Sequence, residues 1–258
     1  MSNLLYSFVN SSPEQLFPFL VVVISVIILA IFALRINEQF SQAGSGLTDA
    51  PDTISQKPTK TSIAGEKKVA AVLFIDLRGF HRITQDKGPQ ETVVILNSFF
   101  ESVGTAVISE GGEIDNYMGD GLLVVFGKEA NPASGCKQAL NAIRKTRQAI
   151  RKLNKKLAKQ LGGPIKAGIG LHVGPLLVGR LGHSHSVADR VIGPAVNFAI
   201  KLEELTKQKE SEVIISMDAI RCAEINEEDL RSEFVVLRDN NIPVEVVSFP
   251  ANEDLPAV

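Results

Sequence analysis

Cysteine is scarce in this 258-residue chain. Cys136 and Cys222 stand alone, far apart and without the close spacing that a zinc ribbon or a redox motif requires. A disulfide framework is therefore excluded, and two ordinary thiols in a reducing compartment are expected. An excess of one charge is missing too. With 27 basic against 29 acidic residues the net charge is -2, so electrostatics give no reason to expect a nucleic-acid partner. Internal repeats and sustained heptads are absent, which removes solenoids and coiled coils. His183 and His185 form a His-x-His without a third ligand close by in sequence, and read as a solvated arm.

The chain does contain an uncharged run, residues 17–34, with Ser25 as its one polar residue beyond the opening Phe-Pro-Phe. Its 18 residues lie at the short end of what spans a hydrocarbon core, which takes about 20. No Lys or Arg precedes it, Arg35 follows at once, and Lys57, Lys60, Lys67 and Lys68 come later. A cleaved signal would carry a basic leader and a shorter apolar core. The bias puts the N-terminus outside and the remainder in the cytoplasm. The expected organisation is an extracytoplasmic segment 1–16, one transmembrane helix 17–35, a flexible Ser/Thr/Gly/Pro-rich linker 36–68, a folded domain 69–250 and a tail 251–258. That makes a single-pass protein of the cell's inner (plasma) membrane with its folded domain in the cytoplasm.

Within the domain, apolar runs and helical periods alternate. Val69-Ala-Ala-Val-Leu-Phe-Ile-Asp76-Leu-Arg-Gly-Phe80 reads as a buried strand closing on a carboxylate, then a Gly turn into a helix. Residues 89–110 have Val93, Leu96, Phe99, Phe100, Val103 and Val107 at near-helical spacing. Gly111-Gly-Glu-Ile-Asp-Asn-Tyr-Met-Gly-Asp120-Gly-Leu-Leu-Val-Val-Phe-Gly127 reads as a hairpin with Asp120 in its turn. Residues 133–161 form a long helix whose basic residues face solvent. Strands at 165–173 and 176–181, a helix at 195–205, and short strands near 212–215, 234–237 and 244–249 complete the pattern. The order is β-α-β-β-α-β with additions, an α+β, ferredoxin-like plan. If a crossover helix joins the first strand to the hairpin, Asp76 and Asp120 meet at one sheet edge. Two carboxylates there suit a pair of divalent metals bridging the oxygens of a nucleoside triphosphate.

These two motifs resemble those of the class III nucleotidyl cyclases, the adenylate and guanylate cyclases. The resemblance continues through Ile169-Gly-Leu-His-Val-Gly-Pro-Leu-Leu-Val-Gly-Arg-Leu-Gly182 and Val191-Ile-Gly-Pro-Ala-Val-Asn-Phe-Ala-Ile-Lys-Leu-Glu203. Four ordered blocks over about half the chain are far more specific than any one of them. The resemblance implies a ferredoxin-like nucleotidyl cyclase catalytic domain, Mg or Mn as two divalent metals, and a homodimer with sites at its interface. It assigns the metals to Asp76, Asp120 and the backbone carbonyl of Leu77. The amides of Arg78, Gly79 and Phe80 open a helix and suit phosphate oxygens, and Arg238 matches a basic residue on the triphosphate. The reaction it implies closes ATP to 3',5'-cyclic AMP with loss of pyrophosphate. No protein nucleophile is needed, so the lack of a Ser-His or Cys-His arrangement is no objection.

Three positions depart from the family pattern. Asn197 and Lys201, four apart on one helix face, match the Asn and Arg used on the ribose and on the charge at the α-phosphate. Lys keeps the charge and loses the planar fork. Asn116 stands where adenylate cyclases carry Lys, and Arg190 where they carry Asp or Thr. Asn can donate and accept, whereas Arg only donates and would suit guanine O6. ATP is the expected substrate, with weakened discrimination and GTP as the alternative. A second alternative is a catalytically weak or inactive cyclase-like module that holds nucleotide or a partner. His172, on a strand, reads as a core histidine.

Overall fold

The computed structural model describes residues 65–158, 160–161, 163–183, 186–237 and 243–257, within a compact unit spanning Ser62–Val258. The expected transmembrane helix, most of the linker, and Arg238 lie outside the described residues. The elements in chain order are β1 (Glu66–Arg78), α1 (Phe80–Thr84), α2 (Pro89–Ile108), β2 (Glu113–Met118), β3 (Gly121–Phe126), α3 (Pro132–Leu157), β4 (Lys166–His183), β5 (Ser186–Ile192), α4 (Pro194–Gln208), β6 (Val213–Ser216), α5 (Met217–Cys222), β7 (Ser232–Val236) and β8 (Pro243–Phe249).

Each of the three long helices carries Pro in its first turn, where its missing N–H is no loss. The Asn131 side chain caps α3 by accepting from Ala133 N at 2.9 Å. The strands form one sheet in the order β2-β3-β1-β4-β6-β8-β7, with β5 paired to β4 off that path. Among the described strands only β4 and β6 run parallel. As expected, β1 lies antiparallel beside the second strand of the hairpin.

Alternation along β1 divides the core. Ala71, Leu73, Ile75 and Leu77 face a cluster that includes Ile95, Phe99 and Val103 of α2 and Leu140 and Ile143 of α3. Ala70, Val72 and Phe74 face Ala195, Val196 and Ala199 of α4. Asp76 continues that even-numbered row, so its side chain emerges on the α4 side. The helix can lie close because β4 has glycine beneath it. A methyl on Gly170 would run into the Ala199 carbonyl and the Glu203 amide, and one on Gly168 into the Glu203 carboxyl.

Several local expectations change. The buried face of α2 includes Ile95 and leaves Val93 outside, because the helix is rotated relative to the simple period. The helix is also apolar and long enough to cross a membrane by length and composition alone, but a third of that stretch is buried in the core. The two strands around Pro175 are one continuous β4, with Pro175 opposite Val69. Arg147, within the basic run of α3, is 4% exposed. It donates to Glu212 at 2.7 Å and to the carbonyls of Pro250, Ala251 and Glu253, which anchors the C-terminal segment. His172 is a core histidine, with Nδ1 2.9 Å from Ser216 Oγ, and burial lowers its pKa.

Candidate active site

The antiparallel ladder pairs Asp76 with Gly121, which places Asp120 directly beside the end of β1. Leu77 N donates to the Asp120 carbonyl at 3.3 Å. Gly119 adopts a left-handed φ of 66°, and this lets a two-residue turn carry Asp120. A Cβ on Gly121 would come within 3.2 Å of Asp76 Oδ1, so glycine keeps the space beside that oxygen open. Burial pushes the Asp76 carboxyl up, and the charge of Asp120 pushes it further, while Lys207 pulls it down. Two carboxylates pressed together in a half-dry corner create a demand for cationic charge.

Lys207, near the end of α4, answers part of it. Its Nζ lies 3.5 Å from Asp76 Oδ2 and 3.9 Å from Glu203 Oε2. Glu203 is 1% exposed and its Oε1 has no hydrogen-bond partner. Burial first, and the Asp76 charge second, push its carboxyl up to about 7. Because Gly168 is the cross-strand partner of Asp76, the Glu203 carboxyl fills the place where a neighbouring side chain would otherwise stand. Arg78 Nη2 donates to the Ser211 carbonyl at 2.5 Å, so its side chain turns away from the opening of α1. Gly79, with φ 66°, is the residue that starts that helix.

Among the described residues no cluster of three or more His, Cys, Asp or Glu side chains could hold a metal. Asp76 and Asp120 are nevertheless a fitting donor set for Mg or Mn. Such ions are held by one or two carboxylates, with the rest of the shell completed by water and substrate phosphates. The Leu77 carbonyl is carried at the same strand end.

The expected residues fall into separate groups. Asp76 and Asp120 come together, with Leu77, Gly79 and Phe80 following on the chain. Asn116 in β2 and Arg190 in β5 come together at a second place, where Arg190 Nη1 donates to the carbonyl of Asp115 at 2.7 Å. Asn197 and Lys201 lie on α4 some ten and six residues before Lys207, which is about 15 and 9 Å along the axis at 1.5 Å per residue. Since Lys207 is the part of α4 that reaches Asp76, one chain holds Asn197 well back from its own carboxylate pair. Sequence reasoning missed Asp115, Glu203 and Lys207. A Glu-Lys pair at i,i+4 ordinarily reads as a solvated helix face. The signal against that reading was the glycine pair Gly168 and Gly170 on β4.

A family model described as the adenylate and guanylate cyclase catalytic domain matches residues 63–248. The chain belongs to this family. An adenylate cyclase of Anabaena cylindrica is 33% identical over 162 residues, 61% of this chain and 31% of that protein. A Mycobacterium tuberculosis protein described as uncharacterized is 30% identical over 200 residues, 77% of this chain and 34% of its own length. The chain thus spans about a third of the aligned relatives' length in both cases. Among solved structures, the guanylyl cyclase Cya2 superposes with a TM-score of 0.65 at 27% identity, covering 74% of this chain and 99% of Cya2. The adenylyl cyclase CyaB from P. aeruginosa superposes at 0.63 and 21% identity, covering 71% and 94%, and agrees in fold. The α+β arrangement is that of a class III cyclase, and the domain is of the cyclase class of enzymes.

Proposed function

We propose that the domain converts ATP to 3',5'-cyclic AMP and pyrophosphate with two divalent metals, Mg or Mn, at Asp76, Asp120 and the Leu77 carbonyl. The observation that carries this reading is the Asp76–Asp120 pair, whose charge, only partly answered by Lys207, sits at the mouth of a turn that opens a helix. When bound, the metals supply acidity to the ribose 3'-hydroxyl and counter-charge to the triphosphate. The 3'-oxygen forms its bond to the α-phosphorus, the bond to the β-phosphate oxygen breaks, and the hydroxyl proton leaves to solvent. The amides of Gly79 and Phe80, which open α1, bind phosphate oxygens, as does Arg238. Arg78, expected beside them, closes β1 opposite Lys166, and its amide does not open the helix. Asn197 orients the ribose and Lys201 steadies charge at the α-phosphate. Asn116 and Arg190 form the base side.

The axial spacing on α4 supports a homodimer. Carboxylates of one copy would be completed by Asn116, Arg190, Asn197 and Lys201 of the other. The uncharged run 17–34 supports a single membrane anchor with the catalytic domain in the cytoplasm. The lack of an acceptor for the adenine amino group at position 190 favours a second reading, relaxed or guanine base preference, and the similarity to both adenylate and guanylyl cyclases is compatible with either purine.

The test is incubation of the purified protein with Mn-ATP and Mn-GTP in parallel, with products identified by mass spectrometry. Cyclic AMP in excess over cyclic GMP is expected, and its loss in an Asp76→Ala, Asp120→Ala double variant. If wild type makes no more cyclic nucleotide than that variant, the domain is a binding module rather than an enzyme.

A further inference from the structure

The β2–β3 ladder leaves one residue out. Ile114 pairs with Val124 and Asn116 with Leu123, so Asp115 is the extra residue of a β-bulge. A bulge takes its residue out of the ladder and re-aims the neighbouring side chain. Both free groups of Asp115 are claimed by β5. The carboxylate accepts from Val191 N at 2.9 Å, and the carbonyl accepts from Arg190 Nη1 at 2.7 Å. β2 and β5 are not ladder partners, and this pair of contacts ties them. Arg190 Nη1 also lies 3.4 Å from its neighbour's carbonyl, that of Asp189.

We propose that Asp115 is a positioning residue for nucleobase recognition. Clamped by Arg190 and Val191, it holds Asn116 as the side chain that reads a purine base, and Arg190 acts through Asp115 rather than on the base. The inference rests on the reading of this domain as a nucleotidyl cyclase. A free guanidinium in a base pocket would favour guanine O6. This one has Nη1 on the Asp115 carbonyl, and turning that donor onto a base would leave a part-buried acceptor unsatisfied. Base choice then falls to an amide that offers both a donor and an acceptor and fits either purine edge. The site therefore takes purine nucleoside triphosphates and discriminates weakly between them.

The decisive experiment compares Arg190→Met, Asp115→Ala and Asn116→Ala in the full chain. The readouts are KM and kcat with Mn-ATP and Mn-GTP, calorimetric affinity for the α,β-methylene analogues of both nucleotides, and melting temperature. Arg190→Met and Asp115→Ala are expected to raise KM and Kd for both purines alike, roughly 5- to 30-fold, the scale of one orphaned polar group. Their ATP-to-GTP ratios should stay within about threefold of wild type, and the double variant should be no worse than the poorer single one, because the two act as a unit. Asn116→Ala alone should shift the ratio. Arg190→Lys and Asp115→Asn should restore affinity, since one donor and one acceptor oxygen suffice for the clamp. If Asp115→Ala melts too early to assay, Arg190→Met against Arg190→Lys decides. A tenfold change of the ratio in Arg190→Met would overturn the inference, as would unchanged affinities in Asp115→Ala. A wild type that binds the analogues without forming product sinks the proposed activity and leaves the ratio test in force. One that binds neither analogue sinks both.

Discussion

The two ends of the β2–β3 hairpin are built in opposite ways. At the turn, Asp120 is placed by its immediate backbone: Gly119 at positive φ, Gly121 opposite Asp76, and a strand pair that admits one register. At the bulge, Asn116 is placed by contacts from more than seventy residues away, through Arg190 and Val191 to Asp115. The turn end concentrates negative charge in a half-dry corner, whereas at the bulge end the Asp115 carboxylate accepts from an amide and the Asp115 carbonyl from a guanidinium. One end demands cations and the other is already satisfied. A catalytic centre that varies its substrate while keeping its chemistry can change the second without touching the first.

The largest effect should come from breaking the turn end. Asp76→Asn removes a charge that burial and Asp120 both oppose. Turnover with Mn-ATP should fall by about 10²–10³ or more, the cost of losing one essential charge-stabilising group. The metal-free protein should melt at the same temperature or higher, because the repulsion is relieved. A variant that loses both activity and stability would mean that the carboxylate pair holds the fold together rather than straining it.

Next comes the carboxyl beneath that pair. Glu203 in the folded protein is raised to about 7 from an ordinary 4.5. The folded state therefore binds a proton that the unfolded chain has released. Stability from this group is complete below about pH 4.5 and is lost as pH rises through about 7. Glu203→Gln keeps the neutral form at every pH. Urea unfolding should show the variant equal to wild type near pH 4.5 and more stable by about 3 kcal/mol at pH 8. Identical profiles would show that Glu203 is charged throughout, held by Lys207 and Arg78.

A smaller loss is expected from closing the gap under α4. Gly170→Ala drives a methyl into the helix backbone at Ala199 and Glu203. Overpacking of this kind costs about 1–3 kcal/mol, and a domain of this size should melt roughly 2–10 °C lower. Since α4 carries Asn197, Lys201 and Lys207, turnover should fall more than the melting temperature alone explains. The bulge end is hydrogen-bonded to β5, which meets α4 through Val191, in one cluster with Ala195, Val196 and Ala199. The bulge end should keep its ATP-to-GTP ratio, and a changed ratio would show that the two ends are coupled.

The comparison also explains what could be read from sequence. Asp76 and Asp120 were legible because an apolar run ending in Asp, and a Gly-Asp-Gly turn, specify local backbone directly. The helix-strand order followed from periodicity in the same way. The single long β4 was obscured by Pro175, which breaks strands in most settings but here sits where β1 pairs with it in a tolerant register. The rotation of α2 that buries Ile95 and exposes Val93 depends on which face the sheet offers, which no helical period contains. Asp115 was invisible because a bulge looks like an ordinary strand residue until its partners are known. Glu203 and Lys207 looked like a surface pair. The two β4 glycines that draw α4 down onto the sheet turned Glu203 into a buried neighbour of the site.

The smallest effect separates two roles for Lys207. Its ammonium stands 3.5 Å from Asp76 Oδ2 and is half-exposed, so it supplies at most about 1 kcal/mol of counter-charge. A divalent cation arriving at Asp76 must share or displace it. Lys207→Gln should therefore bind Mn²⁺ about two- to fivefold more tightly in the absence of nucleotide, measured by the decrease of the free Mn²⁺ resonance in an EPR titration. The titration belongs at pH 8. Lys207 pulls the Asp76 pKa down, so its removal lets a proton compete better as pH falls, and the gain in affinity should shrink toward acid pH. The bulge end makes no contact with this ammonium, and the Asp115→Asn variant should bind Mn²⁺ as wild type does. Weaker Mn²⁺ binding by Lys207→Gln at pH 8 would reverse the assignment: Lys207 would then be holding Asp76 in its ligating orientation, not occupying the cation's place.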